Sequence, residues 1–113
     1  MNVRPLFAAA PVHSVDVHLG DYRYMPDSIT VKSGETVRLK LTNTDKLTPH
    51  NFTLKAEGAG LDVDVDVSAG KTETVDITPL APGSYTFYCN KKLPFFKSHR
   101  ERGMEGTLVV TPD

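Results

Sequence analysis

The stretch that decides the fold runs from residue 84 to residue 107 and reads S-Y-T-F-Y-C-N-K-K-L-P-F-F-K-S-H-R-E-R-G-M-E-G-T. It contains the only cysteine of the chain, Cys89, at the end of an aromatic run that has the alternation of a strand. His99 and Met104 follow, and residues 107–110 then form an apolar run that predicts the last strand. The stretch therefore indicates two strands joined by a loop, with three side chains of metal-binding type at and within that loop.

A thiolate, an imidazole and a thioether together form a donor set that copper prefers, and two histidines with one cysteine and a weak axial methionine typify a blue-copper site. The second histidine must come from elsewhere. His50, in the run T48-P49-H50-N51-F52, is the upstream candidate because a strand-like run begins beside it. Strand ends of this kind cluster at one pole of a sandwich. The sequence thus predicts a copper site, rather than an ordinary buried core cysteine, and its candidate ligands are His50, Cys89, His99 and Met104.

Length and composition exclude several classes of protein. With 113 residues the chain corresponds to one domain, and its net charge of −1 points to neither nucleic acid nor a membrane surface. No apolar run approaches the roughly 18 residues that a spanning helix needs. The single cysteine excludes an internal disulfide and the multi-cysteine zinc sites. Residues 1–11 lack a period and contain two prolines, which predicts a loose N-terminal arm before a single domain over residues 12–113.

Short runs of alternating apolar and polar residues recur along the chain, with glycine and proline between them. They cover residues 13–19, 29–31, 37–41, 52–54, 61–67, 75–77, 85–89 and 107–110. No stretch has a convincing helical period, although a short helical turn fits near residues 56–60 or 93–100. Seven or eight short strands at this spacing predict an all-β sandwich or barrel.

The order of these pieces resembles the cupredoxins, the family of type 1 blue copper proteins. The resemblance runs from about Tyr22 to the end of the chain, and the matching pieces are Y24-M25-P26, I29 to E35, H50-N51-F52, P82 to C89 and H99 to G106. It implies a Greek-key β-sandwich with copper near one end. His50, Cys89 and His99 match the strong ligands of the family and Met104 the axial ligand. Asn51 matches the residue that ties the two ligand loops together by hydrogen bonds.

One feature departs from the family. The spacing between Cys89 and His99 is unusually long, and the surplus falls within residues 91–98. The alternative is that His99 is not a ligand, in which case only His13 or His18 remains to replace it. Neither belongs to the copper-loop pattern, and their odd spacing puts them on opposite faces of one strand.

The surplus segment places apolar and basic side chains beside a candidate ligand. Phe95 and Phe96 precede His99, and Glu101 is the one acidic residue between Lys91 and Arg102. The plain interpretation is a solvated loop whose phenylalanines pack onto the body. The functional interpretation is a docking surface, because apolar patches rimmed by charge mark interaction sites. We expect a redox partner with an acidic surface, recognised by Phe95 and Phe96 within a rim formed by Lys91, Lys92, Lys97, Arg100 and Arg102.

Two other sites are weighed and set aside. The run D62-V63-D64-V65-D66 has acids where a calcium-binding EF-hand loop has them, but Val67 occupies the position of its obligatory glycine. An acidic outer face of a strand fits better. Cys89, a histidine and Asn51 also suggest a thiol hydrolase. Such folds need more chain, and Met104 would have no role.

The sequence therefore favours an electron carrier, not an enzyme, that holds one copper ion cycling between Cu(II) and Cu(I). The alternative function is copper storage, delivery or resistance, which uses similar ligands. A monomer is expected. The family resemblance implies the periplasm or another extracytoplasmic space, although the sequence contains no recognisable export signal.

Overall fold

The computed structural model describes residues 12–113, so the expected arm over residues 1–11 lies outside the described part. Nine strands follow one another within this described part. They are β1 His13–Gly20, β2 Arg23–Met25, β3 Ser28–Lys32, β4 Val37–Asn43, β5 His50–Ala56, β6 Leu61–Val67, β7 Thr72–Ile77, β8 Gly83–Tyr88 and β9 Glu105–Thr111. A short 3-10 helix, Glu57–Ala59, precedes β6 and accounts for the helical turn expected near residues 56–60. Within residues 12–113, no helix has the length and apolar character needed to cross a bilayer.

The strands form two sheets, which confirms the predicted all-β sandwich. One sheet has the order β2-β1-β4-β7 and the other the order β3-β9-β8-β5-β6. Each sheet is mixed, because β1 runs parallel to β4 and β3 runs parallel to β9. The structure has nine strands where seven or eight were expected. The extra one is β2, a three-residue edge strand just before Pro26, which lies between the predicted strand runs 13–19 and 29–31.

The alternation of the strands produces the core. In β4 the buried residues Val37, Leu39 and Leu41 alternate with outward-facing polar residues. In β6 the apolar residues point inward and the three aspartates are exposed, as expected for an acidic outer face. Each sheet thus presents a continuous apolar surface to the other.

Three aromatic rings occupy the core beneath one end of the sandwich. Phe52 and Phe87 stack with their centroids 4.7 Å apart, and Tyr24 meets both rings edge-on. Burial raises the pKa of Tyr24, so its hydroxyl stays protonated. That hydroxyl donates a 2.6 Å hydrogen bond to the carbonyl oxygen of Asn51. The aromatic cluster therefore fixes the backbone next to His50.

The topology brings the candidate ligands to this same end. In the second sheet β8 lies between β5 and β9 and is antiparallel to both. The start of β5, the end of β8 and the start of β9 therefore lie side by side. His50 begins β5, Cys89 follows β8 and Met104 precedes β9.

Gly106 lies at this end of the sandwich, where the packing leaves no room for a Cβ atom. A Cβ at this position would lie 2.2 Å from the Phe87 ring and 2.7 Å from the carbonyl oxygen of Asp27. We expect Gly106→Ala to lower the free energy of unfolding by about 1–3 kcal/mol, the usual cost of overpacking. Urea denaturation measures it. Gly58→Ala is the control, because its Cβ would meet nothing within 4 Å. Equal stability of the two variants would contradict this packing.

Candidate metal centre

Three side chains converge at the end of the sandwich. His50, Cys89 and His99 each offer one ligand atom, and these atoms lie within 4.8 Å of one another. The Nδ1 atoms of the two histidines are 3.2 Å apart, and the Cys89 sulfur is 3.5 Å from Nδ1 of His99. His50 and Cys89 are fully buried, whereas His99 keeps 7% exposure. In the described part of the chain this is the one cluster of three or more His, Cys, Asp or Glu residues with such geometry.

The long segment between Cys89 and His99 leaves the site and returns to it. The main-chain N–H of His99 donates a 2.9 Å hydrogen bond to the carbonyl oxygen of Lys91, which closes the segment at its base. The extra residues therefore do not separate the His99 ring from the sulfur. His13 and His18, the alternatives raised by the spacing, are exposed on β1 and are not part of the cluster.

The main chain of Met104 is hydrogen-bonded to two of the candidate ligands. Its N–H donates to the carbonyl oxygen of His99 at 3.1 Å, and its carbonyl oxygen accepts from the N–H of Cys89 at 3.2 Å. The Met104 side chain is fully buried. The main chain of Met104 is thus held between the cysteine and the second histidine, and its role as a ligand remains a prediction.

A capping box shapes the turn that carries His99. The N–H of Ser98 donates to the Glu101 carboxylate at 2.9 Å, and the N–H of Glu101 donates to the Ser98 hydroxyl at 3.0 Å. These bonds hold the pKa of Glu101 below its ordinary value. His99 follows the cap directly, so the orientation of its main chain is fixed from both sides.

Asn51 links the two segments that contribute the ligands. Its side-chain oxygen accepts from the N–H of Asn90 at 2.9 Å and from the Thr53 hydroxyl at 3.0 Å. Its amide nitrogen donates to Asp64 at 2.6 Å, and its main-chain N–H donates to the Cys89 sulfur at 3.3 Å. The tie that the family resemblance implied is therefore present in the structure.

The electrostatics of the donors suit a metal. Burial raises the pKa of the Cys89 thiol, while the N–H groups of Lys91 and Asn51 act in the opposite direction by hydrogen bonding to the sulfur. Burial lowers the pKa of His99, and the neighbouring His50 and Arg102 lower it further. The His99 ring is thus favoured in its neutral, metal-binding form. The thiol must lose its proton when it binds a metal.

The structure also places at the site two residues that the sequence did not reveal. The Tyr22 ring meets the His99 ring edge-on at 4.9 Å and the His50 ring at 6.0 Å, measured between centroids. An oxygen of Asp45 lies 2.6 Å from Nε2 of His50. Tyr22 lies between β1 and β2, and Asp45 lies between β4 and β5. No spacing rule predicts which way the side chains of such connecting segments point.

The predicted docking surface is exposed. Phe95 is fully exposed and Phe96 is 59% exposed, so neither is packed into the body as the plain interpretation of a solvated loop required. Leu93 and Leu47 are exposed beside them. Two shallow grooves meet at the exposed edge of His99, and Leu93 lines both.

The basic rim is less uniform than the sequence suggested. Lys91 forms a 3.0 Å ion pair with Asp66 of β6, and Arg100 forms one of 3.5 Å with Glu105. The guanidinium of Arg100 also lies over the Tyr88 ring, and that of Arg102 lies over the Tyr22 ring. Within residues 12–113, the side chains of Lys92 and Lys97 form no ion pair. Arg102 likewise forms no ion pair among the described residues, so Lys92, Lys97 and Arg102 are the rim cations without a salt bridge.

Comparison with known proteins agrees with this geometry. Residues 4–110 match the family model described as the Cupredoxin-like domain. The chain is 33% identical over 104 residues to plastocyanin of Dryopteris crassirhizoma, which covers 81% of this chain and 91% of plastocyanin. It is 47% identical over 51 residues to the copper-resistant cuproprotein CopI of Pseudomonas aeruginosa, covering 45% of this chain and 28% of CopI. The fold is similar to that of auracyanin A, a "blue" copper protein of Chloroflexus aurantiacus, with a TM-score of 0.66, 22% identity, and coverage of 89% of this chain and all of that one.

The Asn51 tie predicts a mutational effect. In Asn51→Ala the partly buried N–H of Asn90 loses its acceptor, and the Thr53 hydroxyl keeps only the 3.5 Å contact with Asp64. A buried polar group left unsatisfied costs about 1–3 kcal/mol. We expect a lower melting temperature and a weakened metal site. Asn90→Ala is the matched control, since the Asn90 side chain is exposed and its hydrogen bond to Asn51 uses only the main chain. Calorimetry of both variants checks this, and equal melting temperatures would exclude the tie.

Proposed function

The chain belongs to the cupredoxin family, and from this premise we propose that it carries single electrons between redox partners through a blue copper centre. Its cofactor is one copper ion. The observation that carries the proposal is the convergence of one nitrogen from each of two imidazoles and one sulfur within 4.8 Å at a buried point. One thiolate and two imidazoles match the donor chemistry of a type 1 copper site.

Each residue has a distinct role in this proposal. His50, Cys89 and His99 would hold the copper as strong ligands, and Met104 would be the weak fourth donor. When bound, copper supplies a Cu(II)/Cu(I) couple. The chain supplies a sulfur that loses its proton on binding the metal, two imidazoles and a shell from which water is largely excluded, because His50, Cys89 and Met104 have no exposed surface. Strands that pack against the aromatic cluster limit how far these donors can move between the two oxidation states.

The exchange of electrons with a partner takes place at His99. Of the four proposed ligands, only its ring retains exposed surface, and that surface faces the grooves beside Leu93. A substrate has no comparable opening to the other three ligands, which supports a carrier rather than an enzyme.

The surrounding surface suits a small, transient redox encounter. The exposed Phe95, Phe96 and Leu93 form an apolar centre, and Lys92 and Lys97 lie on its rim. Redox encounters are typically small and weak, and complementary charge raises their rate of formation. The partner in this proposal is a redox protein with an acidic docking surface.

The wider setting belongs to the same proposal. Residues 12–113 form a single domain that works as a monomer in an extracytoplasmic space such as the periplasm. The family resemblance supports these statements.

A second candidate function is the storage or delivery of copper in copper resistance. The 47% identity to the copper-resistant cuproprotein CopI over 51 residues supports it. The two functions make opposite demands on the metal, because delivery needs a labile ion and electron transfer needs a retained one. Rapid transfer of Cu(I) to bicinchoninate together with slow electron self-exchange would favour copper handling. The reverse pattern would favour the carrier.

The copper assignment predicts a visible spectrum. Wild-type protein loaded with Cu(II) should show an intense blue or green band from charge transfer between thiolate and copper, and Cys89→Ser should abolish it. His99→Ala should remove or strongly shift the band. His18→Ala is the control and should retain it, because His18 is exposed on β1. Retention of the band in Cys89→Ser would overturn the proposed site.

The docking surface predicts a dependence on salt. With an acidic c-type cytochrome as the probe, the rate of electron transfer should fall as ionic strength rises, because screening weakens steering. The double variant Lys92→Glu/Lys97→Glu should be about tenfold or more slower at low salt. The double variant Lys32→Glu/Lys40→Glu, at exposed positions of β3 and β4, is the control with the same change in net charge and should have a smaller effect. Stopped-flow kinetics measure both, and a rate independent of salt would exclude electrostatic steering.

A further inference from the structure

A carboxylate lies directly behind the first candidate ligand. Oδ2 of Asp45 is 2.6 Å from Nε2 of His50, whose side chain is fully buried, while the Asp45 side chain is 28% exposed. A carboxylate can only accept a hydrogen bond, so Nε2 of His50 carries the proton and donates it. Nδ1 is then left with its lone pair, and it is Nδ1 that lies 3.2 Å from the His99 ring.

The carboxylate is held in place by the loop between β4 and β5. The N–H of Asp45 donates to the side-chain oxygen of Asn43 at 2.9 Å. Asn43 is 1% exposed, and its amide nitrogen donates to the carbonyl oxygens of Thr48 and Val67, each at 2.9 Å. Asp45 is therefore fixed by a buried amide that also binds the segment leading into His50.

The same carboxylate holds the turn that carries Tyr22. Its two oxygens accept from the main-chain N–H of Asp21 at 3.2 and 3.3 Å. Asp21 and Tyr22 both have left-handed backbone conformations, with φ of 52° and 56°, which residues other than glycine seldom adopt. An external anchor stabilises such a turn. This turn sets the Tyr22 ring against the rings of His50 and His99.

We propose that Asp45 is a positioning residue of the copper site that orients His50 through Nε2 and favours Cu(II) over Cu(I). The inference rests on the proposed function and deepens it. A negative charge one imidazole ring away from the ion stabilises the more highly charged oxidation state. Carboxylates that accept from metal-binding histidines fix the ring and raise its basicity, and their loss typically costs 10–100-fold in metal affinity. Asp45 thus keeps the reduction potential lower than the four ligands alone would set it.

Asp45→Asn tests the effect of the Asp45 charge separately from the orientation of the His50 ring. The asparagine keeps an oxygen that can accept from His50 and from Asp21, but it removes the negative charge. We expect the Cu(II) affinity, measured by competition with a chelator, to fall about tenfold while the Cu(I) affinity changes little. A tenfold difference for one electron corresponds to a rise in reduction potential of about 59 mV. Asp45→Ala, which also removes the acceptor, should lose more Cu(II) affinity and alter the charge-transfer band.

Asp21→Asn is the matched control. It changes the net charge by the same amount in the turn that Asp45 anchors, the Asp21 side chain is exposed, and asparagine readily adopts the left-handed conformation. Its reduction potential should stay near that of the wild type. Equal shifts in Asp21→Asn and Asp45→Asn would overturn the inference, because a distant charge would then suffice. An Asp45→Asn protein that stays blue and keeps the wild-type potential would also overturn it.

A measurement on the wild type covers the case in which the variants do not fold. Nitrogen NMR of the diamagnetic Cu(I) protein should place the His50 proton on Nε2, and a proton on Nδ1 would overturn the inference. A wild type that takes up no copper overturns the proposed function together with the role of Asp45. A blue wild type whose potential does not respond to Asp45→Asn overturns the role of Asp45 alone.

Discussion

The hydrogen bond from the main chain of Asn51 to the sulfur of Cys89 is the contact on which the site depends. It joins two segments 38 residues apart, and it does so at a buried atom that must be able to carry negative charge. Because Cys89 follows β8 and Asn51 lies in β5, the bond also fixes how the ends of these two strands meet. The Asn51 side chain repeats the link through Asn90. A shift of either strand would move a candidate ligand away from the others.

Aromatic side chains pack both below and above this hydrogen bond. Below it, Phe52, Phe87 and Tyr24 form an aromatic floor, and the Tyr24 hydroxyl binds the Asn51 carbonyl. Above it, Tyr22 lies across the two histidine rings. The donors are therefore held in a largely dry space, in which each charge and each oriented N–H group acts more strongly than it would in water.

The regular part of the structure could be predicted from the sequence because alternation reports directly on a half-buried strand. β2 was not predicted, because three residues beside Pro26 are too few to show a period. At the site, His99 could be named as a candidate ligand from the sequence. The way in which residues 91–98 bring it back to Cys89 could not be predicted, since that segment has no pattern and the closing bond lies in the main chain. The contacts of Asp45 were equally hidden, because they depend on how two separate loops meet. The pairing of Lys91 with Asp66 likewise joins charges that no local rule connects.

The bond between the Lys91 carbonyl and the His99 amide has an evolutionary consequence. It joins Lys91 to His99, so the two ends of residues 92–98 stay together whichever side chains lie between them. Substitutions, insertions or deletions within residues 92–98 can change the exposed surface without displacing the His99 imidazole. Related chains can therefore differ in this exposed surface while the cluster of His50, Cys89 and His99 stays in place.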